Sequence, residues 1–514
     1  MYVIVQAGGR GSRLRHHTWN KPKCLVSVRG KPLLYHLFDS FPDSEFVIIG
    51  DYHYEQFAAY LESNPPPVKW TLIEANGKGT CSGIAQASEM VLPETPVLLI
   101  WSDIIVGDAF RHPAMWVDET SPQVFVTDSF ACRWSYINGE LVEQTSHTSG
   151  VPGIFWFKNK QFLSKVPAIG EFVRWFSKHV KDFSATHISN IEELGDFARI
   201  ESSNDTVGFC RFFNEIIIED STVTKTAKDK NYTHLIANEF NWYSETRNIL
   251  GFTRTPEVIK YPPLTMTRIP GDHVWQFDNL SYREQRAIVA DILHTLQDLH
   301  SRGYKQARPE DCKKVYIEKT QQRVHSVCSL IPGFEKDSVT VNGIKCKNPF
   351  HKTHQNLWAQ IEQVTQAEHF APIHGDPTFS NTLIDQNLKA WFIDPRGYFA
   401  NAESVYGDPD YDYAKVYYSA VGGYDAFNRR KFKLHIDDET AEIIMEPPVT
   451  AESAEQVFLE FFPDSIKKIK ILHGLIWLSL SGYARDDVDS VIGSFYLGLY
   501  YLKQGLDDVS VRTQ

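Results

Sequence analysis

The chain has 514 residues, 42% of them hydrophobic, and a formal net charge of −12. That length exceeds one ordinary core and predicts two or three domains. The composition excludes wholesale disorder, and the acidic balance argues against a nucleic-acid-binding surface. Seven scattered cysteines without a CxxC pair fit packed thiols in a reducing compartment. Met1 leads straight into an apolar strand, with no secretory pattern, and no apolar run reaches membrane-spanning length. The expectation is a cytoplasmic protein without a membrane span; a homo-oligomer is left open.

In chain order, Tyr2–Val5, Glu45–Ile49, Val68–Ile73, Val97–Trp101, Val124–Thr127 and Gly153–Phe157 read as strands. Leu33–Phe41, Tyr54–Leu61 and Cys81–Val91 read as the helices between them. This alternation predicts an α/β domain, Rossmann-like, with a mostly parallel sheet. The polar run Glu201–Asp205 is the expected linker. Beyond it the texture changes. Ile216–Ile218, Val223–Thr226 and Leu264–Arg268 read as strands, and Thr233–Thr246 as a helix. Ser281–Arg302, His354–Glu368, Ile466–Tyr483 and Ser490–Lys503 read as helices. A small β-rich lobe followed by a large helical lobe predicts a two-lobed, protein-kinase-like α+β domain. The expected boundaries are 1–205, 206–275 and 276–514.

Two motifs carry chemistry. In the first, a strand runs into Gln6-Ala7-Gly8-Gly9-Arg10-Gly11-Ser12-Arg13-Leu14, with Lys21-Pro22-Lys23 following. Glycines let backbone N–H groups approach a phosphate chain, and Arg13 and Lys23 supply fixed positive charge. Asp103 follows the apolar run Val97–Trp101, at the strand end where a Mg2+ carboxylate belongs. In the second, His374-Gly375-Asp376 precedes Asn381, and a polar turn at Asp385-Gln386-Asn387 leads through Ala390–Ile393 to Asp394. A base and a metal-binding Asn five residues apart on one loop, with a second metal carboxylate after a hairpin, is the arrangement phosphoryl transfer needs.

The first motif resembles the nucleotidyltransferases that make sugar nucleotides and CDP-alcohols. The match rests on Ala7, Gly8, Gly9, Gly11, Arg13, Leu14, Pro22 and Lys23. The resemblance implies nucleotide binding by Ala7 to Gly9, Gly11 and Ser12, and triphosphate binding by Arg13 and Lys23. It also implies base recognition by Gly77-Lys78-Gly79-Thr80, above all Gly79 and Thr80, and a phospho-substrate segment at Gly153. Asp103 is the first metal carboxylate; Glu192, Glu193 and Asp196 are open candidates for a second. Gln6 departs from the small or apolar residue many relatives carry.

The second motif resembles the aminoglycoside phosphotransferase and choline kinase superfamily. That implies Asp376 as the catalytic base, Asn381 and Asp394 as metal ligands, and Lys225 paired with Glu239 at the ATP site. Lys228 and Lys230 rival Lys225, and Glu245 rivals Glu239. Met266–Gly271 is the expected adenine hinge, His300 is expected to be structural, and Asp412 to support the catalytic loop. Pro395-Arg396-Gly397 departs from the relatives, and Arg396 is either an anion-binding residue or a salt-bridge partner. Tyr411, Tyr413, Tyr417, Tyr418 and Tyr424 are either core or a cage for a quaternary ammonium.

Together the two resemblances imply a bifunctional enzyme of bacterial capsule and surface-glycan synthesis. An alcohol, amino alcohol or sugar is phosphorylated with ATP and then joined to a nucleotide, CTP by expectation, with release of pyrophosphate and use of Mg2+. A sugar-1-kinase joined to a UTP- or GTP-using pyrophosphorylase is the enzymatic alternative. A nucleotidyltransferase carrying a non-catalytic kinase-like binding module is the other.

Overall fold

The computed structural model describes residues 1–107, 110, 121–205, 214–228, 230–400 and 404–507. The chain forms two compact units, Met1–Thr206 with Asp486–Asp489, and Val207–Arg485 with Ser490–Gln514. Among the described residues, no helix is long and apolar enough to cross a membrane.

The first unit is built on β1 (Tyr2–Gln6), β2 (Glu45–Gly50), β3 (Lys69–Glu74), β4 (Val97–Trp101), β5 (Gln123–Val126), β6 (Ile154–Phe157) and β7 (Ser184–His187). These form one sheet in the order β7-β5-β6-β4-β1-β2-β3. β1 runs parallel to both β2 and β4, and β2 parallel to β3, whereas β6 is antiparallel to its neighbours. Val3, Ile4, Val5 and Leu98 to Ile100 are fully buried, as strands covered on both faces require. Helices α1 (Leu33–Ser40), α2 (Tyr54–Ser63), α3 (Ile84–Glu89) and α4 (Phe172–His179) accompany the sheet. The chain winds from β1 to β2 and β3, then crosses back to β4 on the other side of β1. That reversal opens a crevice beyond the carboxyl ends of β1 and β4. Gln6 stands opposite Trp101 in the register, so the glycine loop and Asp103 leave the sheet side by side.

The polar stretch expected as a linker is helical. Glu201–Asp205 is the second half of α5 (Phe197–Asp205). Ile200 packs with Leu14, Val26 and Val28, Asn204 Nδ2 donates to Ser27 O, and His17 contacts Glu201 at 3.0 Å. Glu201 and Asn204 bind neighbouring loops, so polarity there does not mark a break. Residues 206–213 lie outside the described residues.

The second unit opens with β8 (Asn214–Ile218), β9 (Thr222–Ala227), β10 (Val258–Lys260) and β11 (Leu264–Thr267) in the order β8-β9-β11-β10, with α6 (Thr233–Tyr243) alongside. Helices α7 (Tyr282–Ser301), α8 (Lys319–His325), α9 (Pro409–Ala420), α10 (Ile466–Ser481) and α11 (Val488–Asp507) dominate the remainder of the unit. α7 starts at a full capping box, Ser281 with Glu284, which satisfies two of the free N–H groups at its end. The hairpin β12 (Thr382–Ile384) and β13 (Ala390–Phe392) pairs Thr382 with Phe392.

Lys21 and Lys23, two residues apart, have different fates. Lys21 is 1% exposed, and its ammonium sits 2.7 Å from Asp487 and 2.6 Å from Asp489 within the first unit. Removing one partner of a buried pair leaves uncompensated charge, at a cost of about 3–5 kcal/mol. Lys21→Met is therefore expected to lower the denaturation midpoint of this unit strongly. Adding Asp487→Asn and Asp489→Asn should recover much of the loss. Equal midpoints for wild type and Lys21→Met in chemical denaturation would contradict this.

Candidate active sites

The first site gathers where β1 and β4 end. Pro22 precedes a short turn, Lys23–Leu25, that directs Lys23 back across the glycine loop. Gly11 has φ +67, and a Cβ there would lie 3.0 Å from Lys23 Cβ, so both its backbone conformation and its contact with the Lys23 stem favour glycine. Lys23 Nζ contacts Asp103 Oδ2 in a largely buried ion pair. Arg13 is 66% exposed on its side chain and touches Glu193 at 3.3 Å. An exposed cation at the loop mouth is suited to an incoming polyanion.

The open choice of a second carboxylate narrows geometrically. Glu192 points away, paired with Arg29 and about half exposed. Asp196 caps Arg199 N and pairs with the Arg199 guanidinium. Glu193 alone faces Asp103. A Cβ placed on Gly195 would lie 2.0 Å from Glu193 Oε1 and 2.9 Å from both Asp103 Oδ2 and Arg13 Nη2. Two carboxylates and a guanidinium thus surround one small space that glycine keeps clear. Burial first, and then the Asp103 charge, raise the Glu193 carboxyl above its ordinary range. A hard divalent cation relieves that repulsion, so the donor set fits Mg2+. Among the described residues, no cluster of three or more His, Cys, Asp or Glu forms a metal cage. Two carboxylates are what a phosphate-bound Mg2+ requires, since phosphates and water supply its other ligands.

The remaining motif residues take distinct places. Ala7 is buried and its N–H is used on Ile49 O, so it anchors the loop from below. Gly9 and Ser12 are exposed, with open space around Gly9. Gln6 Nε2 donates to Thr80 O at 2.8 Å and Ser82 O at 3.0 Å. The unusual residue thus ties the Gly77–Thr80 loop to β1. Gly79, at φ +80, approaches Gly170 O so closely that a Cβ would lie 2.3 Å from it. Thr80 Oγ1 accepts from Phe172 N. Gly153 lies against the Trp101 ring, 2.8 Å from the position of a Cβ.

The second site joins the β-rich lobe to the hairpin. Lys225 lies on β9, which is paired on both sides, and it is 4% exposed. Its ammonium donates to Glu239 Oε1 at 2.9 Å and Oε2 at 3.1 Å, and contacts Asp394 Oδ1. Lys228 and Lys230 are exposed, and Glu245 lies on the π-helical turn after α6. Asn381 Nδ2 donates to Asp376 O at 2.8 Å and Oδ2 at 3.2 Å, and its Oδ1 accepts no hydrogen bond among the described residues. That free amide oxygen and the Asp394 carboxylate are hard donors suited to Mg2+. Asp394 has φ +56, a conformation rare for a residue with a side chain and typical of functional turns.

Asp412, fully buried, accepts from His374 N at 2.8 Å and Gly375 N at 2.7 Å and contacts His300 Nε2 at 3.0 Å. Beneath the catalytic loop, the Asp412 carboxylate fixes the turn that presents Asp376. Trp242 Nε1 donates to Ile373 O, tying α6 to the same loop. The five tyrosines do not form a cage. Tyr411, Tyr413, Tyr417 and Tyr418 are buried, Tyr424 stacks on Tyr418, and the cation between Tyr411 and Tyr418 is the protein's own Lys415. Lys415 Nζ also lies 3.0 Å from Asp376 Oδ1.

Comparison with known proteins is consistent with both geometries. Residues 3–128 match the model of the MobA-like NTP transferase domain, and residues 221–438 match that of the phosphotransferase enzyme family. The chain carries both of these domains. Over 110 residues the chain is 33% identical to the bifunctional protein GlmU of Methanocaldococcus jannaschii, covering 21% of this chain and 26% of that protein. A 43-residue stretch is 51% identical to the UTP–glucose-1-phosphate uridylyltransferase AglF of Haloferax volcanii, covering 8% and 18%. The chain thus spans about a quarter or less of these curated relatives. Solved structures similar to it include HddC from Yersinia pseudotuberculosis, with 20% identity, TM-score 0.34, and coverage of 39% of this chain and 97% of that one. The CTP:phosphocholine cytidylyltransferase LicC from Streptococcus pneumoniae gives 20% identity, TM-score 0.31, and coverage of 39% and 96%.

Gly195 and Lys415 escaped the sequence reading. A glycine two residues after a candidate carboxylate, and a lysine on the helix after Asp412, carry no motif of their own. Gly195→Ala should leave the NTP transferase domain folded, because the atoms it meets are side-chain ends that can move. Moving them dismantles the carboxylate pair, so we expect at least tenfold weaker Mg2+ dependence of nucleotidyl transfer with an unchanged melting temperature. The raised Glu193 carboxyl adds a pH signature. As pH falls through its titration, Mg2+ affinity should fall with it, and Glu193→Gln should flatten that limb. A Gly195→Ala enzyme with a normal Mg2+ titration would contradict the assignment.

Proposed function

We propose that the chain is a bifunctional enzyme. Residues 206–514 phosphorylate a hydroxyl of a small molecule with ATP. Residues 1–205 then transfer a nucleotidyl group to the phosphomonoester and release pyrophosphate. CTP is the nucleotide we assign, in the setting of surface-polysaccharide synthesis. UTP and GTP are its competitors. We place the chain in the cytoplasm, where these substrates are supplied.

The observation that carries the reading is the completeness of the second constellation. Lys225 contacts both Glu239 and Asp394, and Asn381 bonds Asp376 on the adjoining loop. A non-catalytic binding module has no need to retain a base beside a metal-ligand pair.

In the phosphoryl transfer, Asp376 accepts the proton of the acceptor hydroxyl as its oxygen bonds to the γ-phosphorus of ATP and the bond to the ADP oxygen breaks. Asn381 orients Asp376, and Glu239 holds Lys225 where it can meet nucleotide phosphates. In the nucleotidyl transfer, an oxygen of the phosphomonoester attacks the α-phosphorus and pyrophosphate leaves. Lys23 and Arg13 balance the negative charge that builds there. Mg2+, when bound, neutralises phosphate oxygens; Asp103 and Glu193 would hold it at one site, and Asn381 and Asp394 at the other.

The test separates the halves. Lys23→Ala should lower nucleotidyl transfer about a hundredfold or more, a loss of a few kcal/mol of charge stabilisation, while ADP formation persists. Asp376→Asn should abolish ADP formation with an acceptor while ATP still binds. Supplying the phosphorylated acceptor should restore nucleotide-conjugate formation by Asp376→Asn. Failure of that bypass would show that the two activities do not act in sequence.

A further inference from the structure

The helical side of the phosphotransferase site contains more positive charge than its reaction uses. Lys319 and Arg323 lie one turn apart on α8, on one face. Arg396 follows Asp394 and packs against the catalytic loop, its Cβ 2.9 Å from where a Gly375 Cβ would be. Lys415, on α9, is 3.0 Å from Asp376. The four come from three separate elements; Lys319 feels the charge of the other three, and Lys415 meets Asp376.

Their partners are neutral apart from Asp376. Arg396 Nη1 donates to Tyr411 Oη at 3.2 Å, and its guanidinium lies 4.3 Å from the Tyr398 ring centroid. Arg323 Nη1 donates to Ser479 Oγ at 3.1 Å and lies over Tyr483. Among the described residues, neither arginine nor Lys319 has a carboxylate within ion-pair distance. Burial, and then Arg396, Arg323 and Lys415, push the Lys319 ammonium down to about 5. Half-buried like charges carry a desolvation cost, and like charges one turn apart on a helix oppose folding. Such a cluster persists where a ligand supplies the missing counter-charge.

We propose that this cluster is the acceptor subsite and that the acceptor is a hydroxylated anion, carrying a carboxylate or phosphoryl group as well as the hydroxyl that Asp376 deprotonates. Arg396 and Arg323 bind the anionic group, and Lys319 takes up a proton when it arrives. Cationic acceptors such as amino alcohols are repelled. This inference rests on the kinase reading above and narrows its substrate class.

The experiment compares ADP formation by the full chain with acceptors matched in skeleton and differing in charge. D-glycerate and glycerol 3-phosphate are set against glycerol, D-gluconate against D-glucose, and choline stands as the cation. At least one anion should exceed its neutral counterpart about a hundredfold in kcat/KM, and the carboxylate and phosphate arms identify the group. Arg396→Met and Lys319→Met should each reduce that preference at least tenfold without altering the KM for ATP. Preference for glycerol, glucose or choline, or an anion preference that survives both substitutions, would overturn the proposal. Titration with inorganic phosphate keeps the two readings apart. If no acceptor yields ADP, yet phosphate binds wild type at least tenfold more tightly than the Arg396→Met and Lys319→Met proteins, the anion site stands and the kinase reading falls. If phosphate binds all three alike, the anion site falls.

Discussion

In each half, a lysine withdrawn from solvent is held by carboxylate charge. Lys225 lies between Glu239 and Asp394, and Lys23 contacts Asp103. A buried ammonium costs too much free energy to be left alone, so its position is dictated by the carboxylates that neutralise it. Those carboxylates are in turn fixed by strands and a helix whose own positions come from the core. The lysine thereby sits at a defined point before any phosphate arrives. In the reactions proposed here, a phosphate chain would exchange for a carboxylate as its partner, with little reorganisation of either group. The rest of each site depends on this constraint, including the hairpin that delivers Asp394 and the parallel register that sets Gln6 beside Trp101.

What could be read from the residues is what local spacing controls. The strand into Gly8–Gly11, the five-residue interval from Asp376 to Asn381, and the turn at Asp385–Asn387 all depend on nearby backbone geometry. The choice among Glu192, Glu193 and Asp196 was not local. Within five residues, Glu192 pairs with Arg29, Asp196 pairs with Arg199, and Glu193, although it also pairs with Arg199 and Arg13, is the one that faces Asp103. Only the placement of the adjoining strand and helix decides which turns inward. The helix over Glu201–Asp205 shows the same limit. Its serines and asparagine read as a break because such residues favour turns, yet Ser27 and Arg29 supply Asn204 with the hydrogen bonds that a turn would otherwise supply.

Lys21 and Lys23 show how a recognised motif can contain two kinds of work. One ammonium is buried between two aspartates, and the other meets Asp103 at the mouth of the glycine loop. The intervening Pro22 has extended backbone geometry, and the short turn that follows it begins at Lys23. Mutational loss of activity at Lys21 would therefore report on folding, whereas loss at Lys23 would report on the nucleotidyl transfer proposed for it. Melting temperature separates the two.

The tyrosines around α9 gain meaning once Lys415 is placed among them. Aromatic faces attract a cation whichever molecule provides it. Here the cation is internal, seated between Tyr411 and Tyr418 and directed at Asp376. A site already filled with lysine and arginine has no electrostatic place for a quaternary ammonium. The aromatic rings instead lower the cost of holding guanidinium and ammonium groups away from water. The same rings that suggest a choline pocket in sequence therefore support the opposite electrostatic preference in three dimensions. The sign of the charge beside Asp376, more than the fold around it, is what distinguishes this acceptor site from one built for amino alcohols.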